Sequence, residues 1–68
     1  MLSENIKKLR KKKGLSQDKL AKLADVTHTT LVKLESGVND NPTIKTLKKI
    51  ADALRVSLDE LAGRGFNG

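Results

Sequence analysis

Cysteine is absent from this chain of 68 residues, which excludes disulfide staples and thiolate metal sites. The chain has one histidine, so no ordinary metal-ligand set can be assembled and no cofactor is expected. Tryptophan and tyrosine are also missing and phenylalanine occurs once, so the core has to be aliphatic. No apolar run approaches the roughly 18 residues of a membrane span, and no signal-peptide apolar segment follows the amino terminus. Nothing alternates with period two, so no sheet is expected. What remains fits one small, cytoplasmic, all-α domain. A chain this short buries only about 60% of the surface it exposes when unfolded, which leaves no room for a deep pocket.

The net charge is +6, and its position is more informative than its size. Residues 1–33 carry nine lysines and arginines against three acids, whereas residues 34–68 carry five against five. All of the excess lies in one half, which suggests a polyanionic partner. Charge alone fits a solvated helix face equally well.

Five helices can be placed by pattern and punctuation. Ser3 is read as the cap of the first, with Ile6 and Leu9 as its apolar stripe and Gly14 as its stop. Ser16 caps the second, with Leu20, Ala21, Leu23 and Ala24 facing inward. Thr27 caps the third, which ends at Gly37. The fourth follows Asn41-Pro42-Thr43 and runs to about Leu54. Its buried face is Ile44, Leu47, Ile50, Ala51 and Leu54. Ser57-Leu58-Asp59-Glu60 is a capping-box pattern that starts the fifth, and Gly63 ends it. Leu58 and Leu61 are assigned to the core. No internal repeat is read, and residues 65–68 are expected to form a flexible tail to a domain over 1–64.

The stretch Ser16–Gly37 carries the chemistry. Two short amphipathic helices joined by a tight turn have the layout of a DNA reader whose second helix lies in the major groove. At 100° per residue, Leu31 and Leu34 of the second of these helices point inward, while His28, Thr29, Val32, Lys33 and Ser36 point outward. Val26, in the turn, can pack under the helix start. The outward set contains no acid, and an acid there would repel phosphates. Lys33 can donate to guanine O6 and N7, Thr29 can bond several base edges, and Val32 offers methyls to a thymine methyl. His28 can donate to a base or a phosphate. Each of these also reads as an ordinary exposed residue; together, on one face at one helix start, they favour readout. Gln17, at the first position of the preceding helix, can hold a phosphate together with free backbone N–H groups. Lys11, Lys12 and Lys13 either touch phosphates or solvate the negative end of the first helix.

Glu35 falls about 40° from Leu31 on the helical wheel and so turns inward, where a carboxylate needs a partner. Catalytic readings fail on this chain. No Ser, His and acid arrangement is suggested. Gly63-Arg64-Gly65-Phe66-Asn67-Gly68 matches GxGxxG literally but follows a helix and opens nothing. Asn41-Pro42-Thr43 is no glycosylation site because proline occupies its middle position.

Ile6-Lys7-Lys8-Leu9-Arg10, Gly14-Leu15-Ser16-Gln17-Asp18-Lys19-Leu20-Ala21, Leu34-Glu35-Ser36-Gly37, Pro42-Thr43 and Ile50–Leu61 resemble the Cro/repressor-type, or XRE-like, helix-turn-helix domains. The resemblance covers roughly residues 3–62. It implies a compact, five-helix, lambda-repressor-like fold that binds a palindromic double-stranded DNA operator as a dimer. It also implies base contacts at His28, Thr29, Val32 and Lys33, and phosphate contacts at Gln17, Thr27, Asn39, Asn41 and Thr43. An ion pair between Arg10 and Glu35 is implied as well. The chain departs from the family pattern at Asp25, where glycine is usual, and in a slightly long loop from Gly37 to Pro42.

The reading is thus a sequence-specific, repressor-like transcriptional regulator and not an enzyme. It is expected to dimerise weakly through Val56–Leu61 and Phe66. The alternative is a protein-interaction module, or an antitoxin-type partner-binding protein, on the same fold.

Overall fold

The computed structural model describes residues 2–39 and 41–63. Five helices follow one another: α1 (Leu2–Lys12), α2 (Gln17–Ala24), α3 (His28–Ser36), α4 (Ile44–Leu54) and α5 (Leu58–Ala62). No strand occurs among the described residues. α1 packs on α3 and α5, α2 on α3 and α4, and α4 on α5. Their shared core is Ile6, Leu20, Ala21, Ala24, Leu31, Leu34, Ile50, Ala51, Leu54 and Leu61, all aliphatic.

Four helix starts are capped by a hydroxyl. Ser16, Thr27, Thr43 and Ser57 accept from the backbone N–H of Lys19, Thr30, Thr46 and Glu60, and the Glu60 side chain completes a capping box. Each bond satisfies one of the donors that a helix start leaves unpaired. Ser3 does not cap α1: the helix already includes Leu2, whose side chain packs on the core, so Ser3 lies inside the first turn.

Three expected core positions are exposed. Leu23 is 57% exposed, because α2 turns Leu20, Ala21 and Ala24 inward and Leu23 falls about 100° from the centre of that face. Ile44 is 68% exposed, since it sits in the first turn of α4, about 70° from the centre of the face formed by Leu47, Ile50, Ala51 and Leu54. Leu58 is 37% exposed, whereas Leu61 one turn later is buried.

The backbone does repeat itself. α2 and α4 end in the same turn. Asp25 and Arg55 adopt the left-handed conformation at φ 58°, ψ 44° and φ 59°, ψ 44°. Val26 and Val56 then donate to the carbonyls of Ala21 and Ala51, at 3.0 Å in both cases. This is the Schellman closure of a helix end. Thirty residues separate the two copies: Leu20, Ala21, Asp25, Val26, Thr27 and Leu31 recur as Ile50, Ala51, Arg55, Val56, Ser57 and Leu61. The repeat lies in backbone and burial more than in residue identity.

A left-handed non-glycine residue is strained, although aspartate tolerates it better than most. Lys49 approaches the Asp25 carboxylate at 4.0 Å, an exposed contact of little energetic weight. Asp25→Gly should therefore stabilise the domain by about 0.5–1 kcal/mol, the relief of strain exceeding glycine's extra chain entropy. Thermal unfolding checks this; an unchanged or lower midpoint would show that the aspartate is unstrained.

Candidate nucleic-acid interface

α3 enters from Thr27, and its exposed residues at the start and middle are His28, Thr29, Val32 and Lys33. Leu31, Leu34 and Glu35 fill its buried side. The first turn holds no acid, so the positive end of the helix dipole is uncompensated by any side chain of α3. Val26 lies half-buried under this start and packs on the core.

The polar residues around α3 divide by what already occupies them. The Thr27 hydroxyl accepts from Thr30 N at 3.1 Å and donates to Thr30 Oγ1 at 2.8 Å. Thr43 repeats this with Thr46, at 3.2 Å and 3.0 Å. A phosphate contact from either hydroxyl requires its proton to turn away from the neighbouring threonine. The cap bonds use the third N–H of α2, α3 and α4. The first two of each helix lack an intrahelical acceptor, as at any helix start. Asn39 is half-buried: its backbone N–H donates to Lys33 O at 3.1 Å, and its Oδ1 accepts from Asn41 N at 3.2 Å. Asn41 is exposed, as are Lys11, Lys12 and Lys13.

Beneath this surface lies an ion pair. Arg10 Nε donates to Glu35 Oε2 at 2.6 Å, and Nη2 donates to Oε1 at 3.0 Å. The side chains are 11% and 2% exposed. Arg10 Nη1 also donates to the carbonyl of Leu15 at 2.7 Å, which ties the loop before α2 to α1.

The amide of Gln17, read from the sequence as a phosphate holder, already has a partner within the domain. The residue is half-buried, and its Nε2 donates to Glu35 Oε1 at 3.1 Å. The one available signal for this was the carboxylate itself. An ionised glutamate offers about four acceptor sites, more than one bidentate arginine fills. Arg64 and Phe66, with the rest of the expected tail at 65–68, lie outside the described residues.

A short helix, a three-residue turn opened by the left-handed Asp25, and a second helix with an exposed, acid-free start together define a helix-turn-helix domain. The helix-turn-helix family profile matches residues 6–61, and the chain belongs to that family, in its XRE-type branch. The HTH-type transcriptional regulator SlrR of Bacillus subtilis is 41% identical over 61 residues, which are 90% of this chain and 40% of SlrR. The crystal structure of SinR, the master regulator for biofilm formation, in complex with DNA is similar with a TM-score of 0.88 at 37% identity. That match covers 91% of this chain and 98% of that one. The restriction-modification controller protein C.AhdI of Aeromonas hydrophila gives a TM-score of 0.84 at 32% identity, over 88% of this chain and 89% of that one. The chain spans 40–55% of the length of the curated relatives SlrR and SinR.

Proposed function

We propose that this chain is a sequence-specific, repressor-like DNA-binding regulator that lays α3 in the major groove of a palindromic operator. The observation that carries this is the exposed, acid-free face that begins α3 on a rigid, doubly capped turn. The likeness to a SinR domain solved with DNA supports it. His28, Thr29, Val32 and Lys33 are the base-facing set. Gln17, Thr27, Asn39, Asn41 and Thr43, with the free N–H groups at the starts of α2, α3 and α4, grip phosphates. The protein acts in the cytoplasm by occupying its site and catalyses nothing. Among the described residues, no helix is long and apolar enough to cross a membrane.

A weak dimer forms through the α5 region. The exposed Leu58 supports an apolar contact there, and the acids Asp59 and Glu60 make α5 a poor partner for DNA.

Selection of bound oligonucleotides from a random pool, followed by mobility-shift titration at two salt concentrations, tests the proposal. A defined site should emerge, with affinity falling steeply as salt rises. No preference over random DNA would favour a protein-interaction module instead. On the selected site, Lys33→Ala should relax one base pair and cost roughly 1–3 kcal/mol there if Lys33 reads guanine. Thr43→Ala should weaken all sequences alike. A uniform loss from Lys33→Ala would show that it touches backbone only.

A further inference from the structure

Glu35 sits where four pieces of chain meet. Arg10 comes from α1, Leu15 from the loop after it, Gln17 from the first residue of α2, and Glu35 from the last turn of α3. Glu35 Oε1 receives two donors, Arg10 Nη2 at 3.0 Å and Gln17 Nε2 at 3.1 Å. We propose that Glu35 is a positioning residue for DNA binding, which holds the Gln17 amide in one orientation and leaves a single N–H of it to grip a phosphate. This rests on the DNA-binding reading above and adds the part that orders its grip.

The chemistry admits one orientation of the amide. A carboxylate only accepts, so the nitrogen of Gln17 faces it and the carbonyl oxygen is turned aside. A phosphate also only accepts, so the second hydrogen on Nε2 is the one side-chain donor Gln17 has for it. A free glutamine must order three side-chain torsions to make this contact; a held one has lost that freedom on folding. Arg10 completes the device. A bare carboxylate this close to a phosphate-gripping amide would repel the phosphate, and the bidentate guanidinium cancels its charge. The pair thus keeps an acid beneath a DNA-facing surface without its repulsion.

The test is a double-mutant cycle read as affinity for the selected operator at fixed salt. Gln17→Ala in the otherwise unchanged chain should lose about tenfold, as expected for one hydrogen bond to a charged partner. The same change in an Arg10→Met, Glu35→Leu background should lose less than about threefold, because Gln17 is no longer held there. Equal losses in both backgrounds, or no loss in the unchanged chain, overturn the proposal while leaving DNA binding intact. An unchanged chain that selects no DNA overturns the functional reading and this one with it. If the double replacement does not fold, the side-chain amide resonances of Gln17 decide. In the free protein one Nε2 proton should exchange slowly with solvent, and DNA should shift the other. Two unprotected protons, or none that responds to DNA, overturn the proposal.

Discussion

Arg10→Met will lower the stability of this domain by about 3–5 kcal/mol, the cost of leaving a buried carboxylate without its cation. In a domain of this size each kcal/mol moves the melting midpoint by about 4–8 °C, so the loss is at least about 12 °C and is enough to unfold a marginal protein. The magnitude follows from the geometry. Glu35 is 2% exposed and takes two of its three hydrogen bonds from Arg10. With methionine at position 10, Gln17 alone faces the charge, and the carbonyl of Leu15 also loses its donor. Replacing both members, as Arg10→Met with Glu35→Leu, should recover most of the loss, since no charge is then stranded. Thermal denaturation of the three proteins checks this. A single replacement as stable as the parent would mean that water reaches Glu35 freely.

Separating the two half-sites of the operator by an extra half helical turn will reduce binding to the level of a single half-site. One module buries only about 600–1,000 Å² on DNA, which is thin for specific affinity. Two modules related by a twofold axis add their contacts only when the half-sites lie about one turn, or 34–36 Å, apart on the same face. About five added base pairs rotate one half-site to the opposite face, beyond the reach of the proposed dimer through α5. The expected loss is at least about 100-fold, short of the ratio of about 10³–10⁷ that separates specific from non-specific binding, because each half-site still binds alone. Adding a full turn should hurt less. A lone half-site bound as tightly as the palindrome would remove the dimer.

The features legible in the sequence were those fixed by local chemistry. Hydroxyls at Ser16, Thr27 and Ser57 mark helix starts because each binds a backbone donor three residues ahead, whatever the tertiary setting. The inward turn of Glu35 followed from helical spacing alone. Leu23 and Ile44 were misplaced because a helical wheel gives direction without saying whether a neighbour lies there; α2 has eight residues and buries a narrow face. Arg55 was not foreseen in a left-handed turn, since nothing in an arginine announces that backbone. Its signal was relational: Val56-Ser57 repeats Val26-Thr27 behind a helix that ends in the same way. The bond from Gln17 to Glu35 was not foreseen because the partner is 18 residues away on another helix. For His28, Thr29, Val32 and Lys33, proposed to face bases, the sequence supplied residue types and the structure adds their exposure.

The duplicated turn makes the protein its own reference for dissecting electrostatics. Asp25 and Arg55 share one backbone geometry but carry opposite charges, one beside α3 and the other beside α5. Glycine at either position relieves left-handed strain, less at Asp25 than at Arg55 because aspartate tolerates that backbone better, so the two stability changes bracket that strain with no outside standard. In operator binding the two exchanges diverge. Asp25→Gly removes a negative charge two residues before Thr27 and should tighten binding most at low salt. Arg55→Gly removes a positive charge at the start of the acidic α5 and leaves α3 untouched. Subtracting one response from the other isolates the effect of charge beside α3, which substitutions at a single turn always confound with changes in its shape.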